Sequence, residues 1–159
     1  MDCCPPFNPT RWNEKEHTWK NKRFIKDTVR TFFFVPLNFG PVIQRMTARV
    51  KNEKGAAPDW LCLADHRSRW KMDLYLAVNK PIPGAVNVLF NGTFLSKVYE
   101  GPFKDAKKWK KDFQTFAHSK KKTVKKLYFW YTTCPTCAKK YGKNYVVIIA
   151  EVNHEKENS

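Results

Sequence analysis

Acidic residues are scarce in this sequence, where 14 Asp and Glu stand against 30 Lys and Arg, a formal net charge of +16 over 159 residues. No apolar run approaches the roughly 20 residues that cross a bilayer, which excludes a transmembrane helix. The opening MDCCPPFNPTRWNEKEH lacks a basic region followed by an apolar one, so no secretory signal is expected and the cytoplasm is the expected compartment. The sequon Asn91-Gly92-Thr93 would then accept no glycan. Five cysteines, an odd number in a reducing compartment, argue against a disulfide framework. No G-x-S-x-G elbow is present, and none of the four histidines lies in a recognisable motif; His66 is the one near predicted core strands. P-loop and G-x-G-x-x-G fingerprints are missing, as are helix-turn-helix, RNA-recognition and zinc-finger spacings.

What is present suits a globular chain: 42% of residues are hydrophobic and 15% aromatic, enough for an ordinary core without disulfides. The positive charge would attract nucleic acid, anionic membrane surfaces or acidic proteins such as a topoisomerase. It concentrates at Lys104, Lys107, Lys108, Lys110 and Lys111, and again from Lys120 to Lys126, where a solvated helix face and a lysine-rich loop explain it equally. The expected partners are a small organic ligand and, through the basic surface, nucleic acid or an acidic protein; a membrane partner is not expected.

Residues 1–28 are polar, aromatic and Pro-rich, with Trp12, Trp19 and Phe24 too widely spaced for a helix stripe, and are expected to form an extended arm over the domain. Arg30 to Phe39 is β-rich and ends at Gly40-Pro41, where proline suits a first helical turn. Val42, Ile43, Met46 and Val50 then recur at helical spacing. Strands are predicted for Asp59 to Asp65 and Lys71 to Val78, joined by a turn at His66 to Trp70. After a break at Pro81 to Gly84 the order starts again. Thr93 to Glu100 reads as a strand, Gly101-Pro102 as a second strand-to-helix junction, and Trp109, Phe113 and Phe116 as a helix stripe; Leu127 to Thr133 and Asn144 to Val152 close the set. Two β-α-β-β units in tandem, 29–80 and 90–152, with a polar tail over 153–159, make an α+β fold whose antiparallel sheet carries two helices on one face and a ligand groove between them.

Gly92-x-Phe94 followed by Glu100-Gly101-Pro102-Phe103 resembles the signature of the GyrI-like small-molecule-binding superfamily, and the duplicated unit is what that superfamily implies. CCPPFNP, VPLNFGPV and CPTCAKKYGKNYVV are similar to a small bacterial and archaeal branch often labelled hydrolase. The resemblance implies a site for flat, hydrophobic, electrophilic or cationic organic molecules, used for drug sensing, sequestration or hydrolysis of strained rings. Familiar members place an acid on the penultimate strand to meet a cation. Leu127-Tyr-Phe-Trp-Tyr-Thr-Thr133 has none.

Ring opening by water needs a carboxylate, a donor for the developing oxyanion, and aromatic walls. Glu100 is the acid nearest the motif and Tyr131 a candidate donor; Phe33, Trp60, Asp73, Tyr75, Tyr99, Tyr128 and Trp130 are candidate ligand contacts. Trp70 is a further ring able to stack on a planar ligand. Cys134-Pro-Thr-Cys137 has zinc-knuckle spacing, and with Cys3 and Cys4 it could close a structural zinc site. Loop thiols without metal and a redox pair are the alternatives. No cofactor for chemistry is expected, and Cys62 reads as a small core residue.

Overall fold

The computed structural model describes residues 8–33, 35–57, 61–132 and 145–154. In chain order its elements are β1 (Lys15–Phe32), β2 (Val35–Pro36), α1 (Phe39–Asn52), β3 (Cys62–Ser68), β4 (Lys71–Ala77), β5 (Val86–Glu100), α2 (Ala106–Ser119), β6 (Lys122–Tyr131) and β7 (Tyr145–His154). The fold is α+β. The pairs β1–β2, β1–β4, β3–β4, β5–β7 and β6–β7 are all antiparallel.

The chain divides into two compact units, a first formed by Lys20–Asn91 and a second formed by the described residues up to Trp19 together with those from Gly92 onward. This differs from the expected arm over 1–28 followed by a continuous domain. The arm region contains most of an 18-residue strand, β1. His17 and Trp19 are half-buried between exposed Glu16, Thr18 and Lys20, the alternation of a strand with one covered face. Lys, Asn and Arg fill the other positions, which is why composition suggested an irregular segment. Likewise β5 starts at Val86 rather than Thr93, β6 starts inside the lysine run expected as a loop, and β3 carries His66 within the strand.

In the first unit, β1 lies between β2 and β4, and β3 pairs the other side of β4. Helix α1 buries Val42, Met46 and Val50, one residue per turn. It covers the sheet face that carries Asp27, because Arg45 of α1 grips that carboxylate through Nε at 2.9 Å and Nη2 at 2.8 Å. Strand pleating puts Ile25 and Val29, both fully buried, on the same face as Asp27.

In the second unit, β7 lies between β5 and β6. Helix α2 buries Ala106, Trp109, Phe113, Phe116 and Ala117. Gly101 makes the turn out of β5 at φ +136°, a backbone region that side chains other than glycine rarely adopt, and a Cβ there would come within 3.7 Å of the Trp109 ring. The helices end alike. Lys54 (φ 54°) and Lys121 (φ 55°) occupy the left-handed position just past α1 and α2. Their N–H groups donate to Lys51 O at 3.0 Å and His118 O at 2.9 Å, satisfying carbonyls that the last turn leaves open.

Candidate functional site

In the first unit the register aligns Thr28, Asp73 and Asp65 across β1, β4 and β3. Directly opposite residues share a face, and Thr28 follows Asp27, so this row lies on the face away from α1. Asp73 is 2% exposed. Its Oδ2 takes Arg67 Nη1 at 3.1 Å and lies 3.6 Å from Lys26 Nζ, while its Oδ1 accepts from Thr28 Oγ1 at 3.1 Å. Two cations and a hydroxyl engage this carboxylate inside the protein. Tyr75, on the same face, is buried, with its ring 5.2 Å from Phe90 and Lys26 Nζ 5.9 Å from its centroid. Phe33 stands apart, exposed beyond the end of β1.

In the second unit one sheet face meets α2. The Tyr99 ring stacks on Trp109 at 5.7 Å, Lys97 Nζ lies 5.6 Å from the Phe116 centroid, and Lys110 Nζ lies 5.6 Å from that of Phe129. The register makes Tyr99, Val146 and Tyr131 a single cross-strand row on this face, with Lys97, Ile148 and Phe129 the next equivalent row. Two strand spacings, about 10 Å, separate the tyrosines, with buried Val146 as the floor.

The hydroxyl of Tyr99 donates to Asp112 Oδ2 at 2.7 Å, and Lys97 Nζ meets the same oxygen at 2.7 Å. The hydrogen bond from Lys97, then that from Tyr99, holds Asp112 below the usual carboxylate range, outweighing partial burial. Burial first, then the Asp112 carboxylate, pushes Tyr99 far above its ordinary value; burial alone does so for Tyr131. Both phenols are therefore protonated at neutral pH, and Tyr99 stands beside an ionised acid.

The other face of the second unit carries Tyr128 and Trp130, both buried, and Trp130 meets Trp12 edge-on at 4.9 Å. Glu100 belongs to this face by alternation from Ser96 and is exposed at the end of β5. The two residues singled out for catalysis, Glu100 and Tyr131, thus stand on opposite faces of their sheet. Tyr128 and Trp130 are likewise separated from Tyr99 and Tyr131. Here His17 Nε2 lies 2.8 Å from Ser96 Oγ, but Ser96 donates its single proton to Trp12 O at 2.7 Å. His17 Nε2 must then be the donor in that contact, so the pair is not a nucleophile with its base.

Trp60, Cys3, Cys4, Cys134 and Cys137 lie outside the described residues. Among the described residues no group of three or more His, Cys, Asp or Glu is placed to hold a metal ion. Cys62 is half-buried, and burial pushes its thiol up to about 12, far from a reactive thiolate. An open depression of about 810 Å³ lies along α1, lined by Gln44, Thr47, Lys51, Lys54 and Gly55. Its lining presents neither a ring nor a carboxylate.

Sequence reasoning missed Asp112. Its signal was the helical spacing: Asp112 is the one acid within α2, three residues beyond Trp109 and four before Phe116.

The chain is thus an α+β fold in which a row of two tyrosines lies beneath a helix that supplies a carboxylate. The chain belongs to the family described as Bacterial hydrolase, whose family model matches residues 1–152. Among solved structures it is similar to an uncharacterized conserved protein from Listeria innocua (TM-score 0.64, 11% identity, covering 89% of this chain and 92% of that one). It is similar also to a hydrolase from Listeria innocua (TM-score 0.62, 11% identity, 89% and 92% covered). A third is SAV2435 bound to tetraphenylphosphonium (TM-score 0.50, 15% identity, 89% and 94% covered). At these identities the likeness is one of fold. No curated protein matches the chain.

Proposed function

We propose that this protein binds a hydrophobic, aromatic organic molecule on the α2 face of its second unit, between Tyr99 and Tyr131. The row Tyr99–Val146–Tyr131, with Asp112 hydrogen-bonded to Tyr99, is the observation that carries the reading. It supplies an apolar floor, two neutral donors and one anion, the mixture that orients a ligand in an otherwise apolar site. Asp112 provides, from the helix, the carboxylate that β6 lacks. A ligand cation would exchange with Lys97 at Asp112 and against the aromatic rings. The order β1–α1–β3–β4 followed by β5–α2–β6–β7, with the two-residue β2 added before α1, and glycines at positive φ at both Gly92 and Gly101, support the tandem GyrI-like reading. SAV2435 was solved with a lipophilic aromatic cation, which makes that compound the natural probe.

Calorimetric titration with tetraphenylphosphonium and with triphenylphosphine oxide tests the proposal. Both should bind saturably at one site, and Tyr131→Phe should weaken only the oxide, by about fivefold to tenfold, the worth of one hydrogen bond. Failure of both compounds to saturate would refute the site.

The family's description favours a second reading, hydrolysis of an electrophilic, strained-ring ligand. Water held by Asp112 would attack a ring carbon and give its proton to that carboxylate, the ring carbon–carbon bond would break with its electron pair passing through the conjugated system to the ligand's carbonyl oxygen, and Tyr131 would steady the charge developing there by hydrogen bonding. Glu100, on the other face, serves this step poorly, so product formation from a cyclopropane-bearing alkylator should survive Glu100→Gln and fall in Asp112→Asn. Recovery of unchanged compound despite tight binding would leave a sequestering or sensing module. A Cys3, Cys4, Cys134 and Cys137 zinc site belongs to the proposal as a structural element, and metal analysis of chelator-free protein decides it: less than one zinc per chain in reduced protein counts against it. Docking of nucleic acid or an acidic protein through the basic surface would appear as affinity falling steeply with salt.

A further inference from the structure

Phe32, Phe33, Leu37 and Trp70 are between 51% and 65% exposed and gather at one end of the first unit. The rings hold one another: Phe32 and Phe33 meet edge to face at 4.8 Å, and Trp70 lies 5.7 Å and 5.1 Å from them. The cluster is anchored. Thr31, 4% exposed, donates from its N–H to Trp70 O at 2.9 Å and from its hydroxyl to Arg69 O at 2.8 Å, tying the end of β1 to the β3–β4 turn. The arrangement is a fixed apolar tip rather than a loose loop.

Its backbone adds a second observation. Phe32 pairs with Val35, so the hairpin turns in two residues, and Phe33 sits at φ +47°. Such turns favour Asn or Gly at that position, because a bulky side chain in the left-handed region is strained. A phenylalanine kept there and left exposed sacrifices stability for something outside the fold.

Arg30, Arg69 and Lys71 rim the tip and are exposed, with the Arg69 guanidinium 5.8 Å from the Phe33 centroid. No acid occurs in residues 28–38 or 66–71. We propose that this tip docks the protein on an anionic lipid bilayer, with Phe33, Leu37 and Trp70 entering the headgroup boundary and the cations meeting lipid phosphates and carboxylates. Single-stranded nucleic acid is the competing occupant, but it needs parallel ring faces on which bases stack. Here the rings cross edge to face, and Leu37, the most exposed of the set, offers a base no π surface. Among the described residues no helix is long and apolar enough to cross a bilayer, which leaves resting on one open.

Flotation with phosphatidylcholine vesicles, with and without phosphatidylserine, tests the proposal on the full chain. Binding should require phosphatidylserine and weaken with salt. Phe33→Asn should melt at the same or a higher temperature, since it relieves the turn, yet lose about tenfold in vesicle partitioning. Lys107→Glu with Lys108→Glu, which lowers the net charge by changing α2 of the second unit, should retain most of the binding. Undiminished vesicle binding by Phe33→Asn, or no binding to phosphatidylserine vesicles, would overturn the proposal. So would single-stranded oligonucleotide binding that Phe33→Asn abolishes while vesicles go unbound.

Discussion

The two units tie helix to sheet with ion pairs of opposite sense. In the first, the strand supplies the acid and the helix the base, Asp27 with Arg45; in the second, the strand supplies the base and the helix the acid, Lys97 with Asp112. The difference lies in what remains for a ligand. The Asp27–Arg45 pair is bidentate, and the other prominent acid of that unit, Asp73, is buried among Lys26, Arg67 and Thr28. In the second unit Asp112 is half exposed, receives a phenol as well as an ammonium, and stands on the face that carries a second protonated phenol. In the first unit Asp27 and Asp73 are committed to ion pairs within the fold; in the second, Asp112 remains half exposed while it holds Tyr99 and Lys97.

The sharpest way to test this contrast is to delete one acid from each unit. Asp73→Ala removes the carboxylate that Lys26 and Arg67 share, and because both cations are partly solvated it should cost about 2 kcal/mol in denaturant unfolding, below the range for fully buried pairs. Asp112→Ala should cost less than about 1 kcal/mol, as exposed ion pairs do. Equal losses would erase the distinction.

Acid titration gives a smaller effect with a defined sign. Burial pushes Asp27 up, but the Arg45 hydrogen bond, the Thr28 N–H and the charges of Arg45 and Arg49 outweigh it, so its folded pKa is lowered, as is that of Asp112. A lowered carboxylate pKa contributes stability that is present above the unfolded value and lost as pH falls through the folded one. The melting temperature should therefore drop below about pH 4. Asp27→Asn should flatten that drop more than Asp112→Asn, since Asp27 is the less exposed partner.

The smallest expected change is a gain shared by both units. Lys54→Gly and Lys121→Gly remove a side chain from a left-handed helix terminus, and each should add about 0.5–1 kcal/mol in the same unfolding assay. If only one helix responds, the two ends are not equivalent.

How much of this was readable beforehand follows from periodicity. The stripes Val42–Met46–Val50 and Trp109–Phe113–Phe116, the Gly101-Pro102 junction, and the strands β4 and β7 stand out because their apolar residues recur at a period that tertiary contacts then use. The start of β1 does not, since its outward positions are Glu16, Thr18 and Lys20 and only His17 and Trp19 mark the covered face. The start of β6 is hidden for the same reason by Lys125 and Lys126. Alternation alone separates Tyr128 and Trp130 from Tyr131, but which set faces a helix depends on where α2 lies, and that is fixed by packing distant in sequence. The same limit concealed Asp112, whose partners Lys97 and Tyr99 are 15 and 13 residues away, and made Glu100 attractive for its proximity to Gly101-Pro102 rather than for its side of the sheet.

The most direct test of the central claim, that the second unit presents Asp112 to a ligand, is calorimetric titration of tetraphenylphosphonium into the wild-type protein and Asp112→Asn. Saturable binding that weakens about tenfold in the variant, while the affinity for triphenylphosphine oxide stays unchanged, is the predicted result. Cation affinity that is the same with aspartate or asparagine at position 112 would contradict it.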